Sequence, residues 1–176
     1  GVDVHYVASL DRPDLDAVVA AAPAAYRTVV GLGGGQALDV AKYVAWRTGA
    51  MLFQLPTALT VDAAWGHRAA VRIDGVVRYV GYAVPEAVYV DLDVVRAAPP
   101  ALNLSGVGDV LCYHTAHADW ALADKLGKAG KWPFAPAAVA QARRVLDELV
   151  DAIDEVRVLS DAGVTALVTA LKYGGA

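Results

Sequence analysis

The chain has one cysteine, one methionine and two phenylalanines among its 176 residues. A single cysteine excludes an internal disulfide framework and fits a reducing compartment, so a cytoplasmic location is expected. Cys112 itself reads as a small apolar filler rather than a nucleophile. No uninterrupted apolar run approaches the ~20 residues of a membrane helix; "AVVAAAPAA" is short and carries Pro23. Positive charge is also scarce, with 15 Lys and Arg against 19 Asp and Glu, a net charge of −4. No broad basic surface for nucleic acid follows from that balance. Internal repeats and low-complexity tracts are absent.

What remains is 57% hydrophobic, dominated by Ala and Val, and long enough to bury a core. "VDVHYVAS" (2–9) reads as a strand, "DRPDLDAVVAAAP" as a helix start, and "YRTVVGL" as a second strand. "QALDVAKYVAWRTG" carries Leu38, Ala41, Val44 and Ala45 at helical spacing, with Gly49 as its stop. "MLFQLPT" reads as a fully buried parallel strand. Strands alternating with helices predict right-handed βαβ units. "AAVRIDGVVRYV" has Asp-Gly between two β-rich runs, a hairpin signal, and "AVYVDLDVV" reads as a further strand.

"APPALNLSG" reads as a break near residue 100, with helix from Gly108 onward. The longest helix is predicted over 135–159, and a last one from a Ser160 cap to a Gly174 stop. The expected fold is therefore α/β, a Rossmann-like parallel sheet lobe over 1–100 followed by an all-helical lobe over 101–176. Gly1 stands on an apparent strand and Ala176 just after a helix, so the chain reads as a stretch truncated at both ends.

"VVGLGGGQALDVAK" places four glycines in five positions between strand and helix. Unpaired N–H groups and the dipole at a helix N-terminus attract phosphate, and glycines admit a pyrophosphate close to the backbone. The bland alternative is a tight turn. The loop is neither G-x-G-x-x-G, since Gln36 replaces the last glycine, nor a Walker loop. Asp39 and Lys42 share a helix face, and taken alone they read as a surface ion pair. Asp109, Cys112, Tyr113, Ala116 and Trp120 form one helical stripe. With helix starting at Gly108, Asp109 is expected at its head, where the dipole favours an acid. Sharing that face, Tyr113 and Trp120 are expected to be largely buried. His114 and His117 have a metal-compatible spacing, but His114 points about 140° from Asp109 at ~100° per residue. Solvated or supporting roles suit these histidines better.

"GLGGGQALDVAK", "PTALTVDA" and "GVGDVLCYHTAHADW", in that order, resemble the metal-dependent alcohol dehydrogenase and dehydroquinate synthase superfamily. The similarity is greatest to its glycerol-1-phosphate dehydrogenase-like branch. The resemblance implies a nucleotide-binding lobe, a helical metal-binding lobe, and an active site between them. It implies NAD or NADP held by Gly33, Gly34, Gly35, Asp39, Thr57 and Thr60. It implies a divalent metal, zinc or iron, with Asp109 as ligand and Asp62 on the substrate, both serving catalysis. The implied reaction is oxidation of a small polyol or polyol phosphate. A dehydroquinate synthase-like cyclase and a non-catalytic nucleotide-binding domain are the alternatives, and a homo-oligomer stays open. Ala63 and Gly66 depart from the family pattern, which has Gly after the substrate-contacting Asp and often Ser four positions past it. The family's two histidine ligands are expected further along than Ala176.

Overall fold

The computed structural model describes residues 1–174. Its elements are α1 (Arg12–Ala21), β1 (Thr28–Gly33), α2 (Gly35–Thr48), β2 (Met51–Pro56), a 3-10 turn (Asp62–Ala64), β3 (Ala69–Ile73), β4 (Val76–Val80) and β5 (Ala87–Val88). Helices α3 (Leu92–Ala97), α4 (Pro100–Lys125), α5 (Pro136–Asp151), α6 (Ile153–Arg157) and α7 (Asp161–Gly174) follow. Strands β1, β2 and β5 form a parallel sheet in the order β1-β2-β5, with Thr28 opposite Met51 and Leu32 opposite Leu55. The expected α/β architecture, parallel sheet then helices, is what the chain adopts.

Helix α2 lies on one face of the sheet and buries Leu38, Ala41, Val44 and Ala45. The opposite face leaves Val30, Leu32 and Met51 exposed. β2 therefore alternates instead of being buried throughout: Leu52, Gln54 and Pro56 face α2. Gly31 permits that packing, because a Cβ there would strike the Gln54 side chain and come within 2.8 Å of Ala41 Cβ.

The Asp-Gly pair turns the β3–β4 hairpin, with Asp74 at φ 53° and Gly75 at φ 76°. Both angles suit the tight hairpin turn that matches strand twist.

Four expectations fail here. Residues 2–9 form no strand, and Val2, Val4 and Tyr6 are exposed: no backbone hydrogen bond among the described residues pairs this segment with a strand, and the chain first bonds β3 at Leu10, whose carbonyl accepts the Arg72 N–H at 2.8 Å. The predicted strand over 87–95 is two residues of β5 followed by α3, whose start Asp91 caps by accepting from the N–H groups of Asp93 and Val94. The break expected over "APPALNLSG" is confined to Ala98 and Pro99, and helix resumes at Pro100 rather than at Gly108. Pro100 is the first residue of α4, where a missing N–H costs nothing. The predicted long helix over 135–159 divides at Ala152 into α5 and α6, and α4 is longer, at 26 residues. Ser160 does cap α7, its hydroxyl accepting from the Gly163 N–H at 3.1 Å.

The helical core gathers Val110 of α4, Val145 and Leu149 of α5, Val156 of α6, and Val164, Leu167 and Leu171 of α7. Leu59 and Val95 belong to the same cluster. The loop after β2 is thus pinned against the helices.

Candidate active site

Three turns of α4 dock on the loop that follows β2. Asn103 is fully buried; its Oδ1 accepts the Leu59 N–H at 2.8 Å and its Nδ2 donates to the Val95 carbonyl at 2.7 Å. One turn on, Gly106 lies so close to Leu59 that a Cβ would strike its carbonyl oxygen. One turn further, Asp109 Oδ2 accepts the Asp62 N–H at 3.0 Å. Residues three apart share a helix face, so Asn103, Gly106 and Asp109 form one strip against Leu59–Asp62.

The same loop reaches the glycines. The Thr57 N–H donates to the Gly33 carbonyl at 3.0 Å. Thr60 Oγ1 and Val61 stand 3.9 and 3.2 Å from where a Gly35 Cβ would lie. The glycine loop, Thr57, Thr60, Asp62 and Asp109 are therefore one neighbourhood.

The glycines differ in what the chain itself asks of them. Gly33 adopts φ 145°, a conformation side chains rarely take. Gly34 has neither demand: its φ is −80° and a Cβ would meet nothing within 4 Å. It also caps α2 with no side chain, so among the described residues no N-cap side chain accepts from the first-turn N–H groups of α2.

Asp39 and Lys42 are not a surface pair. Lys42 is 2% exposed and Asp39 8%. Lys42 Nζ bonds Asp39 Oδ1 and the Arg68 carbonyl, each at 2.8 Å, while the Ala70 N–H donates to Asp39 Oδ1 at 3.1 Å. The pair ties α2 to residues 66–70, and Nζ lies 4.0 Å from a Cβ position at Gly66. Burial pushes the Asp39 carboxyl up against the opposing pull of Lys42.

Burial also raises the Asp62 carboxyl, and the neighbouring Asp109 charge adds to it; Lys42 works the other way. The Cys112 thiol is exposed, not buried as expected, because it lies off the packed face of α4. It donates to the Asp109 carbonyl at 2.8 Å, and partial burial with the charges of Asp109 and Asp62 pushes it up, away from the thiolate a nucleophile needs. Burial and then Arg143 and His114 lower His117, which favours its neutral form. Tyr113 and Trp120 are half-buried, less than expected. Trp120 packs on the segment that follows α4, its Nε1 donating to the Trp132 carbonyl at 2.9 Å and its ring edge-on to Phe134.

Asp109 stands in the third turn of α4 rather than at its head, so no helix dipole favours its charge. Among the described residues no three His, Cys, Asp or Glu side chains converge as metal ligands. His114 and His117 complete no such set with Asp109. A metal centre is therefore not built by these residues alone.

Sequence reasoning missed Asn103, Gly106 and the buried state of Lys42. An N-x-x-G-x-x-D spacing would have disclosed the first two once helix was allowed to start at Pro100.

The family model for iron-containing alcohol dehydrogenases matches residues 1–99. The chain belongs to that family. Among its relatives, a glycerol-1-phosphate dehydrogenase (NAD(P)+) of Thermofilum pendens is 35% identical over 171 residues, covering 96% of this chain and 48% of the relative. One of the same name from Aeropyrum pernix is 38% identical over 99 residues, 56% of this chain and 28% of the relative. A solved structure, a probable glycerol dehydrogenase from Sinorhizobium meliloti 1021, superposes with a TM-score of 0.77 at 27% identity, covering 93% of this chain and 48% of that one. The chain spans about half or less of the length of these proteins.

Proposed function

We propose that this chain is the dinucleotide-binding and substrate-facing part of an NAD(P)-dependent oxidoreductase acting on a small polyol or polyol phosphate. The observation that carries the reading is Gly34. Nothing in the chain's own packing requires a glycine there, yet it heads a helix whose first N–H groups lack a cap. A pyrophosphate fills that space and accepts those N–H groups. Gly33 and Gly35 shape the loop around it, and the Thr57 and Thr60 hydroxyls offer neutral hydrogen bonds at the carboxyl end of β2, where open parallel sheets bind ligands. When bound, the nicotinamide supplies hydride transfer.

Asp62 faces the substrate, and its backbone is fixed by Asp109. Asp39, turned onto Lys42 and Ala70, contributes by holding α2 to residues 66–70. Asp109 is proposed as one metal ligand, zinc or iron, with the remaining ligands supplied from outside this stretch. With one ligand in hand, no catalytic step is routed through the metal. The names of the relatives, glycerol-1-phosphate dehydrogenase and glycerol dehydrogenase, support the polyol class.

Gly34→Val tests the reading. Calorimetry with NAD(P) is expected to show binding by the parent and none by the variant, with unchanged helical content. A folded Gly34→Val protein of unaltered NAD(P) affinity overturns it.

A further inference from the structure

Tyr113 stands one turn beyond Asp109 on α4, on the same face. Its ring packs against the core cluster containing Leu59 and Val110. Its hydroxyl oxygen is closed to solvent, and no group among the described residues bonds it. Buried polar groups left unbonded cost about 1–3 kcal/mol each, so they are uncommon. The other buried side-chain oxygen without a partner, Gln54 Oε1, belongs to a residue whose amide already donates to the Leu38 carbonyl at 3.1 Å. Tyr113 has no such second bond.

One turn back on the same face, Asp109 holds the backbone of Asp62, whose carboxylate is itself short of donors. Asp62 uses its N–H on Asp109 and its carbonyl on the N–H groups of Trp65 and Gly66. No other residue among those described donates to its carboxylate. Burial, then the charges of Asp62 and Asp109, push the Tyr113 phenol well above its ordinary range. The phenol therefore keeps its proton and is available as a donor.

We infer that Tyr113 is a positioning residue for Asp62: in the substrate-loaded site its O–H bonds the Asp62 carboxylate and fixes the orientation in which Asp62 receives the substrate. This rests on the proposed role of Asp62 at the substrate. A charge-assisted O–H···O⁻ bond of this kind is short and about twice as strong as a neutral one. It forms when the substrate draws Asp62 into place, so its contribution falls on polyol recognition and not on the dinucleotide, which lies across the glycine loop.

The test is a double-mutant cycle of Tyr113→Phe and Asp62→Asn in the whole metal- and dinucleotide-loaded protein, with glycerol-1-phosphate and glycerol as probes. Polyol binding is followed by calorimetry beside turnover. Tyr113→Phe is expected to melt no lower than the parent, because it removes an unbonded polar atom. It is expected to keep NAD(P) affinity and to weaken polyol binding and kcat/KM by roughly tenfold. In the Asp62→Asn background the same change is expected to do little, since the pair acts as a unit. Losses that multiply independently overturn the inference, as does unchanged polyol affinity in Tyr113→Phe. A lowered melting temperature with kinetics intact makes Tyr113 a packing residue and also overturns it. A parent that binds NAD(P) but neither binds nor oxidises a polyol overturns the functional reading, and this inference with it.

Discussion

The Asp109 carboxylate accepts the backbone N–H of Asp62 at 3.0 Å, across 47 positions of sequence. The bond joins a helix to a loop, and its length is set two turns earlier. Asn103 fixes the loop at Leu59, and Gly106 lets α4 come close enough for Asp109 to reach.

Gly106→Ala is expected to destabilise the protein by about 1–3 kcal/mol, because the added methyl meets a backbone carbonyl that cannot rotate away. Gly108→Ala is the control. It lies in the same helix with open space around it, and replacing a helical glycine is worth up to about 1 kcal/mol in the opposite direction. Chemical denaturation of both variants checks the pair; equal effects would remove close packing as the cause.

Lys42→Met is expected to cost about 3–5 kcal/mol by leaving Asp39 buried without its cation. Adding Asp39→Leu restores part of the loss, since the uncompensated charge goes too. Urea midpoints of the two variants decide the matter: a double variant weaker than Lys42→Met alone contradicts it.

Asp62 gives the metal-free protein a pH signature. Its folded pKa lies above the unfolded value, so the folded state binds its proton more tightly. Below the ordinary 3.8 both states are protonated and nothing is gained or lost. As pH rises through the folded value, stability falls by the cost of ionising a buried carboxyl beside Asp109. Asp62→Asn is therefore expected to melt higher than the parent near pH 7 and to lose that advantage near pH 3. Melting curves at the two pH values read it directly, and an advantage independent of pH refutes the assignment.

Residues 1–176 alone are expected to retain far less than one equivalent of zinc or iron after desalting, since a catalytic site needs about three protein ligands and no such set converges among the described residues. Asp109→Ala in the whole protein is expected to lose metal while still binding NAD(P). Elemental analysis compares the three samples. A full equivalent of tightly held zinc in the short polypeptide would make His114 and His117 ligands.

The parallel sheet, α2 and the hairpin were legible because their signals are local: β-branched runs, a 3.6-residue period, Asp-Gly. The glycine loop was legible as a motif, but not the division of labour within it. Gly31 answers to Gln54, Gly33 to its own φ, and Gly34 to nothing among the described residues, distinctions that exist only in three dimensions. Asp39 and Lys42 read as a surface pair because their spacing is the same on a wet or a dry helix face. Pro99–Pro100 misled for a physical reason: proline both ends helices and begins them, and only the chain that follows decides which. Misplacing that boundary put Asp109 at a helix head and hid the strip that precedes it.

Because Asn103, Gly106 and Asp109 grip the loop through a rigid three-residue rhythm, α4 tolerates exchange of the residues between these three far better than a change in their number. One amino acid inserted between Gly106 and Asp109 would turn the carboxylate by ~100° and carry it ~1.5 Å along the axis, off Asp62 altogether. The same insertion past Leu126, where the chain has left the helix, would be absorbed by the loop. In a lineage of such sequences, length variation is expected to collect beyond the end of α4 and to be purged between Asn103 and Asp109.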